Sequence, residues 1–394
     1  MAGRFQPARS VCRRWVHEKG TAGYTMAFSL QFNPLLDIFS VKSFPQTLAV
    51  LRMTLQEILE RKSKAQELLG NYWFNGGPVS VSDSVGEIIL LEFWDYTCTY
   101  CARALPYVKE WYRRYRNMGL TVVGVHTPKF PFGKNPEYVH AAIERQGVEY
   151  PVVMDNESLI WMKYGVRAWP TMVLIDRDGF VRYHNIGEGD YLSTERLIQA
   201  RLHERGLDDE LPMIMEPIRE EARPGATLYR VGLELYGGYL RGSLGNVEGY
   251  VPEAVVAYRD PKIYFPGRFY AEGNWLNDRN SLRLSDDMNR GGQLILSYEG
   301  AEVDAVLKPE EERDFKVFVT QDDQFLSEDN KGEDVQIDSD GRSYLVVDMP
   351  RLYHMVKNRE YGEHILRLRS ENNSLALFSF TFVPGVIPEL ISKN

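Results

Sequence analysis

Cysteine is scarce in this chain, with only three among 394 residues. Three cysteines are too few for the disulfide framework that holds small secreted scaffolds together. Long apolar runs are also missing. No run reaches the ~18 residues that a membrane-spanning helix needs, and the longest candidates, 88–93 and 120–125, have the length of strands. The sequence therefore excludes a disulfide-stapled scaffold and predicts no transmembrane segment.

A surplus of basic residues is missing as well. The chain has 46 lysines and arginines against 55 aspartates and glutamates, a formal net charge of −9. Proteins that bind nucleic acid usually present a basic face, so we expect no nucleic-acid partner. The first thirty residues have a basic start but lack the apolar stretch of a secretory signal. This predicts a cytoplasmic location, with a periplasmic or other extracytoplasmic one as the alternative.

The composition is that of an ordinary globular protein, and the length predicts two or three domains. Apolar strands that alternate with helices predict an α/β fold with a central sheet covered by helices on both faces. Further along, short strands at even spacing predict an all-β, jelly-roll-like sandwich. The predicted segments are a partly disordered tail (1–45), a helical arm (46–71), the α/β domain (72–207), a linker rich in proline and glutamate (208–224), the sandwich (225–386) and a C-terminal tail (387–394).

Two of the three cysteines form the motif Cys98-Thr99-Tyr100-Cys101. A zinc site usually needs four ligands, and neither a second such pair nor a histidine pair accompanies this one. The motif follows a predicted buried strand and opens a predicted helix, which is typical of a redox-active pair. The helix N-terminus favours the thiolate of Cys98, and Cys101 lies one turn later as the more buried, resolving thiol. Two purely structural thiols are the alternative. We expect no metal and no cofactor beyond a redox-active Cys98–Cys101 disulfide.

Glu92 lies inside the apolar strand, two residues before Trp94. Burial disfavours the charged form of a carboxyl and raises its pKa. Such a group suits the proton acceptor that Cys101 needs when it attacks. The alternative is a strand residue that reaches solvent at the end of the sheet.

Trp169-Pro170-Thr171 precedes another predicted buried strand. Proline cannot donate to a strand ladder, so we expect Pro170 to begin that strand. A cis bond would place backbone beside the cysteines, where an extended substrate can pair with it, whereas a trans bond is the alternative. Trp94, Tyr96 and Tyr100 surround the cysteine pair and complete the predicted docking surface. Ordinary aromatic packing is the alternative for the tyrosines.

Trp275 is the only tryptophan of the predicted sandwich. Sugar-binding faces use exposed aromatic rings, so Trp275 with Tyr264 or Tyr270 is a candidate glycan platform. A position in the core is the alternative.

These motifs together resemble a known family. Leu91-Glu92-Phe93-Trp94, Trp169-Pro170-Thr171 and the order of elements resemble the thioredoxin superfamily, and 135–154 resembles the insert of its TlpA/ResA-type, redoxin branch. Further stretches are similar to the soluble C-terminal half of DipZ-type proteins. They are Phe93–Cys101, Leu105–Tyr107, Gly124–Pro128, Gly187–Tyr191, Leu235–Tyr239 and Phe378–Phe382.

The resemblance implies a thiol–disulfide oxidoreductase domain followed by a sandwich that resembles a carbohydrate-binding module. It also implies that Cys98 is the nucleophile and that the bond before Pro170 is cis. The membrane electron-conducting domain of the family has no counterpart in this sequence, so the electron donor stays unidentified. Asp95 stands where the family more often has a neutral residue, and its charge opposes a thiolate on Cys98.

Three functions are consistent with these observations. The first is an oxidoreductase that reduces protein or small-molecule disulfides, a direction favoured because Thr99-Tyr100 holds no basic residue. The second is a peroxiredoxin-like thiol peroxidase, in which a threonine and Arg167 polarise the peroxide. The third is a glycan- or protein-binding module with a vestigial redox domain.

Overall fold

The computed structural model describes residues 63–204, 211–285, 291–310, 314–370 and 374–388. The predicted tail over 1–45 and most of the predicted helical arm lie outside the described residues. The described end of the arm, 63–69, is extended and not helical, because Lys64 bridges to Phe180 while Ala65 and Leu68 pack against a buried sheet. Here apolar tertiary contact outweighs the local helix preference.

The fold of the first domain is organised around one strand whose seven residues, Ile88–Trp94, are all buried. A strand buried on both faces requires covering layers above and below it. Six strands form this sheet, in the order β1-β4-β3-β2-β5-β6. They are β1 (Trp73–Phe74), β2 (Ile88–Trp94), β3 (Leu120–His126), β4 (Val152–Met154), β5 (Thr171–Ile175) and β6 (Val181–Ile186).

Strands β2, β3 and β4 are parallel, whereas β1, β5 and β6 pair antiparallel with their neighbours. Helices cover both faces. They are α1 (Thr99–Tyr115), α2 (Pro136–Gln146), α3 (Leu159–Lys163) and α4 (Tyr191–His203). Short 3-10 turns occur at Arg116–Met118, Pro131–Lys134 and Glu220–Ala222. The predicted mixed sheet with flanking helices is confirmed. No helix among the described residues is long and apolar enough to cross a membrane.

The second domain is all-β, as predicted, and its strands form one continuous antiparallel sheet. They are β7 (Leu235–Tyr236), β8 (Val255–Tyr258), β9 (Phe269–Asn277), β10 (Leu282–Leu284), β11 (Gly292–Pro309), β12 (Phe315–Gln321), β13 (Gln324–Phe325), β14 (Val335–Ile337), β15 (Ser343–Val347), β16 (Arg351–Ser370) and β17 (Leu375–Val383). The long strand β11 pairs with β9 through its first half and with β17 through its second half. The sheet therefore folds over a shared apolar core in a barrel-like manner.

The two domains share an apolar cluster close to the start of α1. Phe130 and Phe132, in the loop after β3, lie against Phe378 of β17 with ring centroids 5.2 and 4.8 Å away. Ala102 of α1 and Tyr236 of β7 pack against the same cluster. The second domain is thereby held against the helix that begins at the cysteine pair.

The segment predicted as a linker is packed along the first domain where it is described. The Met215 N–H donates to the Glu195 carboxylate at 3.0 Å, and the Ile218 N–H donates to the Tyr107 hydroxyl at 2.9 Å. The connection between the domains is therefore tied to α1 and α4.

Candidate active site

Cys98 is the N-cap of α1. Its backbone is extended, with φ −96° and ψ 114°, and its sulfur accepts a hydrogen bond from the Cys101 N–H at 3.2 Å. The unpaired N–H groups and the positive end of the helix dipole therefore face the Cys98 sulfur. Both cysteines are free thiols, and their exposed fractions are 5% for Cys98 and 2% for Cys101.

The Cys101 thiol is held in its neutral form. Burial raises its pKa well above the ordinary value, and the adjacent Cys98 raises it further. The negative charge of Glu92 acts in the same direction, which shows that this carboxyl lies within electrostatic range of the thiol. A neighbouring group must therefore take its proton before Cys101 can form a thiolate at neutral pH.

Glu92 lies on the face of β2 that packs against α1. Side chains alternate along a strand, and Leu90 and Trp94, its neighbours on that face, belong to the same core cluster as both cysteines. The Glu92 side chain is fully buried, so the alternative that it reaches solvent is wrong. Burial raises the pKa of Glu92 to about 7, against the opposing effect of a hydrogen bond from the Tyr150 hydroxyl.

Tyr150 donates to Glu92 Oε2 at 2.6 Å, while Oε1 has no hydrogen-bond partner among the described residues. This contact depends on Gly124, which lies beside Glu92 in the parallel ladder. A Cβ at Gly124 would lie 3.2 Å from the Tyr150 ring and 2.9 Å from Trp94 Nε1. The missing side chain therefore leaves room for the rings of Tyr150 and Trp94.

His126 ends β3 and is enclosed by aromatic rings. It stacks on Tyr96 at 5.4 Å and meets Trp94 edge-on at 5.5 Å between centroids. Burial lowers the pKa of His126 although Asp95, 3.5 Å away, acts against this. Trp94 and Tyr96 are 2% and 1% exposed. They pack inside the domain, so their assignment to a docking surface is corrected.

The bond before Pro170 is cis, as the resemblance implies. Pro170 and Thr171 are buried, whereas Trp169 keeps part of its surface and donates from Nε1 to the Thr127 carbonyl at 3.0 Å. The Thr127 N–H in turn donates to the Trp94 carbonyl. Trp169 therefore lies beside the end of β2, from which the chain continues to the cysteines.

The second domain reaches the same end of α1. The Tyr100 hydroxyl donates to the Phe382 carbonyl at 3.1 Å. Arg103, which is buried, pairs with Glu188 at 2.8 Å and with Glu302 of β11 at 3.8 Å. Tyr100 thus bonds the second domain and is only half exposed, so access to Cys98 from this side is restricted.

One other candidate assignment does not hold. Trp275 is fully buried and donates from Nε1 to the Glu272 carbonyl, so it belongs to the core and cannot form an exposed glycan platform. Arg167, the arginine suggested for a peroxidase site, is exposed, and the Thr97 hydroxyl donates to Asp95. Within the described parts of the chain, no group of three or more metal-ligating side chains is found.

Two residues of the site were not found from the sequence. Tyr150 bonds Glu92 but lies in a turn between α2 and β4, where no motif marks it. Lys129 follows β3 by three residues, its side chain is 7% exposed, and the charge of Cys98 helps to raise its pKa. The only sequence signal that could have indicated Lys129 is a basic residue shortly after a buried strand.

The raised pKa of Glu92 predicts a pH-dependent stability. In the folded chain this carboxyl ionises near pH 7 and in the unfolded chain near 4.5, so folding favours its protonated form. The free energy of unfolding should therefore decrease as the pH rises from 4.5 to 7. The decrease is at most about 3 kcal/mol, at 1.36 kcal/mol per pKa unit. Glu92→Gln should lack this decrease in urea unfolding of the reduced protein at pH 4.5, 6 and 8. Glu87→Gln, an exposed control at the start of β2, should keep it, and parallel curves for wild type and Glu92→Gln would contradict the prediction.

Comparison with known proteins agrees with this geometry. Residues 63–184 match the AhpC/TSA family, and residues 233–382 match the family described as "Thioredoxin like C-terminal domain". DipZ of Mycobacterium bovis is 31% identical over 250 residues, which make up 62% of this chain and 33% of DipZ. The chain thus spans a third of the length of that relative.

Two further proteins show similarity to the first domain. The thiol-disulfide oxidoreductase ResA of Bacillus subtilis is 31% identical over 107 residues, 27% of this chain and 57% of ResA. The crystal structure of a thiol-disulfide isomerase from Corynebacterium glutamicum matches with 24% identity and a TM-score of 0.34, over 36% of this chain and 96% of that one.

The resemblance to DipZ-type and ResA-type proteins is confirmed. The chain therefore joins an α/β domain that matches the AhpC/TSA family to a β-rich domain that matches the family described as "Thioredoxin like C-terminal domain".

Proposed function

We propose that this chain is a thiol–disulfide oxidoreductase that reduces disulfide bonds of proteins. The observation that carries the proposal is the arrangement of Cys98 at the N-terminus of α1, Cys101 buried one turn later, and the buried carboxyl of Glu92 on the same strand face as Leu90 and Trp94, which pack in one core cluster with both cysteines. The similarity to ResA, which is named a thiol-disulfide oxidoreductase, supports it.

The reaction proceeds in two exchange steps. The Cys98 thiolate attacks one sulfur of the substrate disulfide, so that a mixed disulfide forms and the other substrate sulfur leaves as a thiolate. Glu92 then takes the proton of Cys101, and the Cys101 thiolate attacks the Cys98 sulfur. The second substrate thiolate leaves, two electrons have passed to the substrate, and the chain holds a Cys98–Cys101 disulfide.

Glu92 suits the second step because of its environment. A general base works best when its pKa lies near the working pH, and burial places the pKa of Glu92 at about 7. The Tyr150 hydroxyl holds one carboxylate oxygen, which orients the group. The oxygen without a partner is the one we assign to the Cys101 proton.

Substrate docking is assigned to the backbone at Trp169-Pro170 and to the partly exposed rings of Trp169 and Tyr100. Trp169 is bonded through Thr127 to the end of β2, next to the cysteines. The second domain contacts Tyr100 through the Phe382 carbonyl. An extended chain segment fits the remaining approach better than a folded surface does.

Trapping tests the assignment of the two cysteines. Cys101→Ser lacks the resolving thiol and should retain disulfide substrates, such as insulin, as mixed disulfides on Cys98. Non-reducing gels and mass spectrometry should show the adduct on the peptide with Cys98. Cys98→Ser should form none and should lose insulin reduction, while Cys12→Ser should behave like wild type. An adduct on Cys101 in the Cys98→Ser variant would reverse the two roles, and no exchange by the wild type would refute the enzyme.

The general-base role predicts a kinetic separation of the two steps. Glu92→Gln should form the mixed disulfide at the wild-type rate, whereas resolution should slow by roughly 10²-fold or more. In the wild type, the resolution rate should rise with pH around 7, where Glu92 ionises, and this rise should disappear in Glu92→Gln. Rapid-mixing kinetics with Glu87→Gln as the control measures both rates. Equal resolution rates in all three proteins would rule out the assignment.

The direction of transfer is tested by the reduction potential of the Cys98–Cys101 pair. A reductant should have a potential near that of thioredoxin, about −270 mV, whereas a strong oxidant lies near −120 mV. Equilibration with glutathione or thioredoxin measures the value, and a result close to the oxidant would overturn the proposed direction. Turnover of hydrogen peroxide at the rate of insulin reduction would favour a thiol peroxidase instead.

A further inference from the structure

Lys129 is a buried cation whose loop is hydrogen-bonded to the turn that precedes Cys98. Its backbone N–H donates to Asp95 Oδ2 at 3.0 Å, and the Cys98 N–H donates to the Asp95 carbonyl at 3.0 Å. Asp95 therefore ties the loop of Lys129 to the turn that leads into α1. The Lys129 side chain is only 7% exposed, so water screens its charge much less than that of a surface lysine.

The counter-ion of Lys129 comes from the second domain. The ammonium pairs with Glu234 Oε1, and the other oxygen of Glu234 accepts from the Tyr236 hydroxyl at 2.6 Å. The Lys129 nitrogen lies 5.5 Å from the ring centroid of Phe130 and 5.6 Å from that of Tyr236. Two rings and a backbone hydrogen bond thus hold Lys129 in place in addition to its ion pair.

Electrostatic coupling extends from this pair to Cys98. Burial opposes the charged form of Lys129, but the charges of Glu234 and then of Cys98 outweigh it and raise the pKa of Lys129. Lys129 is therefore cationic at neutral pH. Tyr100 lies in the same field, because burial first, then the charges of Glu188 and Cys98, raise its pKa to about 12.

We infer that Lys129 is the cation that stabilises the Cys98 thiolate and that Glu234 of the second domain attenuates this effect. The thiolate and the Glu234 carboxylate are attracted to the same buried ammonium of Lys129. Pairing with the Glu234 carboxylate therefore weakens the stabilisation that the ammonium gives to the thiolate. The second domain then contributes a charged group to the redox site. The inference rests on the proposed function only in taking Cys98 as the nucleophile.

Opposite shifts are expected when either charge is removed. Lys129→Met should move the midpoint of the pH profile for alkylation of Cys98 upward by about one pH unit, which slows alkylation about tenfold at pH values below both midpoints. Lys129→Arg, which keeps the charge, should largely restore the wild-type midpoint. Glu234→Gln should move the midpoint downward, because the ammonium then serves the thiolate alone.

The full chain is used, with Cys101→Ser in every variant so that Cys98 is the only thiol of the pair. Iodoacetamide is the probe, and mass spectrometry follows the peptide with Cys98 while Cys12 in the same sample serves as an internal reference. Lys134→Met is the matched control, because Lys134 lies in the same loop but is 49% exposed and pairs with Glu157. It should leave the midpoint unchanged. Circular dichroism verifies that each variant is folded.

Two results would overturn the inference. An unchanged midpoint in folded Lys129→Met would show that its charge does not act on the thiolate. An upward shift in Glu234→Gln would show that Glu234 does not attenuate Lys129 but only holds it in place. The two variants change different domains, so a folding defect in one leaves the other decisive. Alkylation needs no disulfide substrate, so the expected shifts in a chain without disulfide reductase activity would refute only the proposed function.

Discussion

The complete burial of β2 is the constraint on which the site depends. A strand covered on both faces must turn alternate side chains toward opposite layers, and Glu92 is thereby directed into the layer of α1. The chain then leaves the sheet at Asp95 and begins α1 directly after Cys98. One strand, one turn and one helix start thus bring together Glu92, Cys98 and Cys101, the proposed base, nucleophile and resolving thiol.

The second domain is more than an appended module, because it contributes to the surroundings of the cysteines. The Phe382 carbonyl accepts a hydrogen bond from the Tyr100 hydroxyl, Glu302 lies 3.8 Å from Arg103, and Glu234 pairs with Lys129. Each of these contacts is buried or half-buried, where charges interact more strongly than at a wet surface. Packing between the domains therefore both narrows the approach to Cys98 and sets the field in which its thiolate forms.

Strong local patterns made much of the first domain predictable. The helix Pro136–Gln146 has its ends set by local signals, since Asn135 caps its start and Gly147 ends it in the left-handed region. The predicted apolar strand at 88–93 is present as Ile88–Trp94. The predicted helical arm is wrong over 63–69, because Ala65 and Leu68 pack against the sheet there. Periodicity alone does not show which neighbour will cover an apolar face.

The sequence by itself determined the cysteine pair at a strand-to-helix junction, the unusual carboxyl within an apolar strand and the two-domain order, because local spacing and composition carry these features. Only the tertiary structure decided the surroundings of each group. Tyr96 and Trp275 are buried in the core, and Lys129 pairs with the carboxylate of Glu234, more than a hundred positions away in the chain. Burial and long-range pairing depend on how separate segments pack, and it is this packing that sets the ionisation of Glu92 and the charge beside Cys98.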